Sequence, residues 1–316
     1  MTPEFDAPAA VPPLVVIIGP TASGKSSLAV RLALGLAELG TPAEIVNADS
    51  MAIYRGMDIG TAKPTAGERA LVRHHLVDIF DIRRTATVAQ FQVLARQTIA
   101  ELRHRGVIPL LVGGSSLYTR AVMDDFEFPG TDPEIRSRWE AELDRIGPEA
   151  LHAKLAERAP QAAAAILPGN SRRVVRALEV LDITGHFTPG LPPTHYLLQN
   201  VHQFGLELER ETMDERIAAR VRAMFDEGLV DEVRELETEG LREGVTASRA
   251  LGYRQVLSML DGDVTLDQAI TATIERTRRF ARKQLGWFRR DSRICWLPAQ
   301  DPDLVSRILA ELEMTG

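Results

Sequence analysis

The sequence predicts an α/β fold: a parallel sheet flanked by helices, with an all-helical region inserted into it. Three observations carry that prediction. An apolar run ending in glycine, LVVIIG at 14–19, leads into the loop GPTASGKS and then into a helical pattern. Strand-like and helix-like segments alternate up to residue 114, the order of a parallel sheet with right-handed crossovers. Near residue 125 the alternation gives way to helical patterns rich in Ala and Arg.

The elements follow in order. LVVIIG is a short continuous apolar run, as in a strand buried on both faces. SSLAVRLALGLAELG has helical periodicity and ends at Gly40. AEIVNADS reads as a second strand, VAQFQVLARQTIAELRHRG as an amphipathic helix and VIPLLVGG, 107–114, as a further core strand. Helical patterns run from FEFPGTDPEIRSRWEAEL to about residue 187, and GHFTPGLPPTH is a loop. NVHQFGLELE reads as a strand returning to the sheet, with helices from 212 onward. The expected organisation is a disordered lead over 1–13, an α/β core over 14–124 and 200–316, and a helical insertion over 125–199.

Composition narrows the function. The chain has 316 residues, 45% of them hydrophobic, enough for a proper core. No apolar run reaches the roughly 18 residues of a membrane span. The first residues lack the basic and apolar regions of a signal peptide. Cys295 is the only cysteine, which excludes an internal disulfide or a Cys-clustered zinc site and suits a reducing cytoplasm. The net charge is −7, a mild argument against nucleic acid. Its distribution argues the other way: Arg276–Arg293 holds eight basic residues and one acid, Asp291.

Gly19, Gly24, Lys25 and Ser26 fit G-x-x-x-x-G-K-[ST], a loop whose backbone N–H groups surround a diphosphate. The helix behind it adds its N-terminal dipole. ATPases and GTPases of this class usually order Mg²⁺ with an Asp at a second strand end. Here VIPLLVGG ends in Gly-Gly instead, and Asp49 ends the other strand. Asp49 is open to three roles: metal ligand, structural cap or catalytic base. Lys63, in MDIGTAKPT, belongs to an ordinary connection or points at a phosphate. Helical spacing puts Arg216 and Arg220 on one face, where solvation alone explains them. His74 and His75, adjacent on a strand, point to opposite faces and make a poor metal pair. His195 and His202 have no partner at ligand spacing, and Cys295 is expected to be a buried strand residue.

GPTASGKS, ADSMAIYRGMDIGTAKP, HHLVDI, PLLVGGSSLY, RALEV, HQF, LGYRQ and RTRRFARKQLGWFRR, in this order over roughly 14–297, resemble the motifs of the tRNA dimethylallyltransferases, or tRNA isopentenyltransferases. The resemblance implies a P-loop kinase-like core with an inserted helical domain that meets the anticodon loop. It implies transfer of the dimethylallyl group of dimethylallyl diphosphate to N6 of the adenosine immediately 3′ of the anticodon (position 37). The loop then holds an isoprenoid diphosphate, not ATP. Gly19, Pro20, Thr21, Ala22, Ser23, Gly24, Lys25 and Ser26 surround that diphosphate, and Ser26 coordinates Mg²⁺. Asp49 matches the catalytic base, and Lys25 and Arg220 attend the leaving group.

By the same resemblance tRNA meets Asp49, Ser50, Met51 and Ala52, then Ser115, Arg136, and Arg172, Arg173, Val174, Val175 and Arg176. Further along it meets Arg249, Ala250, Leu251, Gly252, Tyr253 and Arg254, with Arg278, Arg282 and Lys283 in the basic segment. Two departures stand out. Ala52 occupies a position where the family often has Gln, and PGNSRRVVRALEV replaces an N-x-x-D pattern. A cytoplasmic monomer without a C-terminal zinc finger is expected. The alternative activities are prenylation of free AMP or ADP, and a small-molecule P-loop kinase. A free nucleotide requires neither the insertion nor the basic segment, and a kinase would favour an Asp after LLV.

Overall fold

The computed structural model describes residues 11–313; residues 1–10 of the expected disordered lead lie outside the described residues. The chain runs β1 (Leu14–Ile18), α1 (Lys25–Glu38), β2 (Ala43–Asn47), α2 (Ala66–Leu71), β3 (His74–His75), α3 (Val88–His104), β4 (Ile108–Gly113) and α4 (Ser116–Met123). After these come α5 (Pro133–Arg158), α6 (Pro160–Ala165), α7 (Ser171–Thr184), β5 (Val201–Glu207), α8 (Arg210–Asp226) and α9 (Leu229–Thr238). The last elements are α10 (Tyr253–Leu260), α11 (Leu266–Phe288), β6 (Ile294–Pro298) and α12 (Leu304–Glu313).

Six strands form one sheet in the order β3-β2-β4-β1-β5-β6, and every pairing is parallel. Every residue of β1 is buried, which explains its unbroken apolar run. The period-two alternation of a strand divides those side chains between two cores. Val15 and Ile17 pack on one face with Leu28 and Leu32 of α1 and Ile308 of α12. Leu14, Val16 and Ile18 pack on the other with Phe91 and Ile99 of α3 and Val122 of α4. Both faces are therefore covered, as a parallel sheet requires.

Register then sets the position of the site. Ile18 lies opposite Gly113 and Gly205, and Asn47 opposite Val112. The residues just past these positions, Gly19, Ala48–Asp49 and Gly114, emerge side by side at the carboxyl end of the sheet. Strand order reverses at β1, since β2 and β4 lie to one side of it and β5 and β6 to the other. Open α/β sheets bind ligands at such a point.

Local signals place the helix ends. Thr87 caps α3 and Thr265 caps α11, each in a capping box with a Gln three residues on. β6 is an edge strand, and Cys295 is exposed on it. The expectation of a buried cysteine fails because β6 pairs with β5 alone, and at this sheet edge Cys295 is left uncovered.

The described residues divide into two compact units, one of 11–125 with 195–313 and one of Phe126–Thr194. Tyr196 and Leu198 pack against the sheet of the first unit. The second unit has its own core of Leu151, Leu155, Val174, Val175 and Leu178. Its α5 breaks at Gly147, φ 81, followed by Pro148. Asp182 of α7 ties this unit together, accepting from Trp139 Nε1 at 2.8 Å and from Arg158 at 2.6 Å.

Candidate active site

The loop between β1 and α1 has its backbone turned by positive φ at Gly19 (149°), Ala22 (62°) and Gly24 (90°). A Cβ at Gly19 would lie 2.8 Å from the Leu206 carbonyl oxygen, so only glycine fits against β5 there. Gly24 is the N-cap of α1, and the first amides of that helix face the loop with no intrahelical partner. Ser23 Oγ is buried without a hydrogen-bond partner in the protein. Ser26, in the first turn of α1, is exposed.

Lys25 reaches back across this loop, and its Nζ donates to the Pro20 carbonyl at 2.6 Å. Burial lowers its pKa to about 8; Arg220 lowers it further and Asp49 opposes the shift. Burial also lowers the pKa of the Arg220 guanidinium, again against the pull of Asp49. Tyr118 of α4 is pushed up to about 12, mainly by burial, with Tyr54 and Asp49 adding to the effect. These mutual influences put Lys25, Arg220, Tyr118 and Asp49 in one electrostatic neighbourhood. Two cations with reduced hydration and no carboxylate bound directly to them favour an anion between them.

Asp49 is exposed but firmly held. Its N–H donates to Asn47 Oδ1 at 3.0 Å, and its Oδ1 accepts from the Met51 N–H at 2.8 Å. Asn47 Nδ2 donates to the carbonyls of Asp49 and Leu76, 3.1 and 3.0 Å away. A Cβ on Gly113 would stand 2.6 Å from the Ala48 carbonyl oxygen. The Gly-Gly end of β4 therefore lets the strand carrying Asp49 come close. The carboxylate keeps Oδ2 available, and its backbone cannot wander.

Two groups escaped sequence reasoning, and a third was open to two readings. Gln284 of α11 is buried; its Oε1 accepts from the Thr21 N–H at 2.9 Å and its Nε2 donates to the Gly114 carbonyl at 2.6 Å. Its signal was a polar residue on the inward side of an amphipathic helix, beside Ala281, Leu285 and Phe288. Glu232 of α9 accepts from the N–H groups of Asp58, Ile59 and Gly60 at 3.0, 2.7 and 3.3 Å and from Tyr253 Oη at 2.5 Å. It sits beside the buried Leu229, Val233 and Leu236, an acid on the apolar side of its helix. Lys63 is buried and bonds Asp58, Asp78 and the Tyr54 carbonyl. It is an anchor of its loop, and the reading that pointed it at a phosphate is overturned by those three partners.

The remaining candidates divide by environment. Ser115 is the N-cap of α4, at the carboxyl end of β4. Ser50 and Met51 are half-buried beside Asp49, and Ala52 is buried. Arg249 and Arg254 are exposed, whereas Ala250, Gly252 and Tyr253 are buried. In the second unit Arg172 and Arg173 are exposed and the side chains of Val174 and Val175 fill the core. Arg176 donates to the Pro129 and Gly130 carbonyls, and Arg136 and Arg176 flank the buried Glu179 at 3.6 and 2.9 Å. On α11, Arg278 and Arg282 turn toward Asp214 of α8, at 3.8 and 3.6 Å. The exposed residues of that helix include Arg276, Arg279, Phe280, Lys283 and Trp287, and Arg290 stacks over the Trp287 ring at 4.6 Å. Among the described residues no group of three or more His, Cys, Asp or Glu side chains is placed to hold a metal ion.

A family model described as IPP transferase matches residues 52–291. The tRNA dimethylallyltransferase of Kineococcus radiotolerans is 59% identical over 310 residues, covering 96% of this chain and 98% of that protein. That of Cutibacterium acnes is 55% identical over 300 residues, covering 95% and 94%. The solved tRNA isopentenylpyrophosphate transferase of Bacillus halodurans aligns with a TM-score of 0.69 and 41% identity, over 96% of this chain and 97% of its own. A eukaryotic dimethylallyltransferase acting on tRNA shares the fold, with a TM-score of 0.78 and 24% identity over 95% of this chain and 77% of its own.

Proposed function

The chain belongs to the IPP transferase family, and from that membership we propose that it transfers the dimethylallyl group of dimethylallyl diphosphate to N6 of the adenosine 3′ of the anticodon in tRNA. The observation that carries the reading is the meeting of Lys25, Arg220 and Asp49 at the carboxyl end of the sheet. Two cations beside a phosphate-type loop suit a diphosphate. A carboxylate facing them suits the removal of a proton from the attacking nucleophile.

The chemistry follows from those groups. An adenine N6 is a weak nucleophile because its lone pair is delocalised into the ring. Asp49 accepts the N6 proton as the new C–N bond forms at the allylic carbon. The C–O bond to the diphosphate breaks, and its electron pair leaves with the diphosphate. Loop N–H groups, Lys25 and Arg220 stabilise the charge that develops on that leaving group. The target base must leave its stack to reach Asp49. Ser50, Met51, Ala52 and Ser115, around the same strand ends, are the nearest proposed contacts for it.

Mg²⁺ fits this donor set: Ser26 offers an exposed hydroxyl in the first turn of α1, and Mg²⁺ usually takes one or two protein oxygens plus phosphate and water. When bound, it would neutralise diphosphate charge. The tRNA itself is proposed to meet the exposed Arg172, Arg173, Arg249 and Arg254 together with the outward basic residues of α11. No described helix is long and apolar enough to cross a membrane; a cytoplasmic monomer is part of the proposal.

Single-turnover transfer by Asp49→Ala tests the reading. The rate should fall about 10²- to 10⁴-fold, while tRNA affinity stays within twofold (about 0.4 kcal/mol). Transfer at the unmodified rate would remove Asp49 as the base.

A further inference from the structure

α11 has an outer and an inner side with different business. Outward it exposes Arg276, Arg279 and Lys283. Inward, the next residue along is the buried Gln284, whose amide is used at both ends: it receives the Thr21 N–H and donates to the Gly114 carbonyl. Thr21 lies within the diphosphate loop, and Gly114 follows the last residue of β4 beside it. A Cβ on Gly114 would stand 2.4 Å from Gln284 Nε2, so the amide lies hard against that turn. The same helix reaches the other side of the cradle as well. Arg278 donates to the Asp214 carbonyl at 3.0 Å, and Arg278 and Arg282 approach the Asp214 carboxylate on α8, the helix that carries Arg220.

We infer that Gln284 is a positioning residue through which RNA docked on the outer side of α11 sets the diphosphate loop. The inference rests on the proposed donor and acceptor. A site whose competent arrangement is only partly populated binds its ligand more weakly by that fraction. Gln284 ties the loop to the same helix that exposes Arg276 and Arg279, roughly one to two turns away, so holding the helix also holds Thr21. Phosphates engaged by Arg276, Arg279 and Lys283 fix the helix, and the donor then meets a loop already arranged. The coupling is reciprocal: bound donor tightens RNA by the same factor.

The test is calorimetric. Dimethylallyl diphosphate is titrated into the full chain with and without an anticodon stem-loop whose target adenosine is replaced by a purine lacking the N6 amine, so that no turnover occurs. In the unsubstituted protein the stem-loop should tighten donor binding about tenfold. Gln284→Met keeps the volume and removes both hydrogen bonds. It should reduce that tightening to less than twofold, with stem-loop affinity in the absence of donor unchanged. Gly114→Ala, which displaces the same amide from the opposite side, should do likewise and serves if the Met variant does not fold. A folded variant that keeps the full tightening overturns the inference, as does an unsubstituted protein with no tightening. Failure of the unsubstituted protein to bind the donor under either condition would instead remove the functional reading beneath it.

Discussion

With its pKa brought down to about 8, Lys25 carries its charge at neutral pH and gives it up within an accessible range. The sign follows from proton counting. A bound diphosphate raises that pKa, so the complex holds more protons than the free protein above pH 8. Donor affinity should therefore be flat below about pH 8 and weaken as pH rises beyond it, by up to tenfold per unit. Titrations of the donor from pH 6.5 to 9.5 measure this, and Lys25→Arg, which stays charged, should flatten the profile. Arg220 makes a complementary prediction. Arg220→Ala should slow transfer about a hundredfold and weaken the donor while sparing tRNA affinity; an unaltered donor response would detach Arg220 from the leaving group.

Elements place these residues, and the sequence disclosed some elements far better than others. The strands β1 and β4 were legible because strands buried on both faces read as continuous apolar runs. Helices α1 and α3 were legible from their period and from Gly40 and Gly106 beyond their ends. Asp49 and the loop were legible because a local motif marks them. Gln284 and Glu232 were not, because their meaning lies in partners far along the chain: Gln284 serves Thr21 and Gly114, and Glu232 serves the loop of Asp58 to Gly60. Nothing in a single helix states which distant backbone group a polar side chain will meet. Glu232 tests this level. Glu232→Ala leaves three N–H groups and the Tyr253 hydroxyl without their common acceptor. It should destabilise the fold by about 2–3 kcal/mol, read as a lowered midpoint in denaturant unfolding. A midpoint within error of the parent's would reduce the clamp to decoration.

At the scale of the whole molecule, an acidic protein presents basic residues in particular places. Arg172, Arg173, Arg249 and Arg254 are exposed and form no salt bridge among the described residues. If these four and Arg276, Arg279 and Lys283 of α11 meet phosphates, log affinity for tRNA should fall against log salt with a slope of about −5, and each Arg→Ala should reduce its magnitude by roughly 0.7. A flat salt response would place RNA recognition elsewhere. The central claim concerns what the loop of Gly19 to Ser26 holds. It is tested most directly by offering labelled dimethylallyl diphosphate and Mg²⁺ with unmodified tRNA or with AMP, beside an ATP-hydrolysis control. Label in tRNA alone, recovered as N6-dimethylallyladenosine with ATP left intact, is the predicted result. Label in AMP, or ATP consumed with no label transferred, would contradict it.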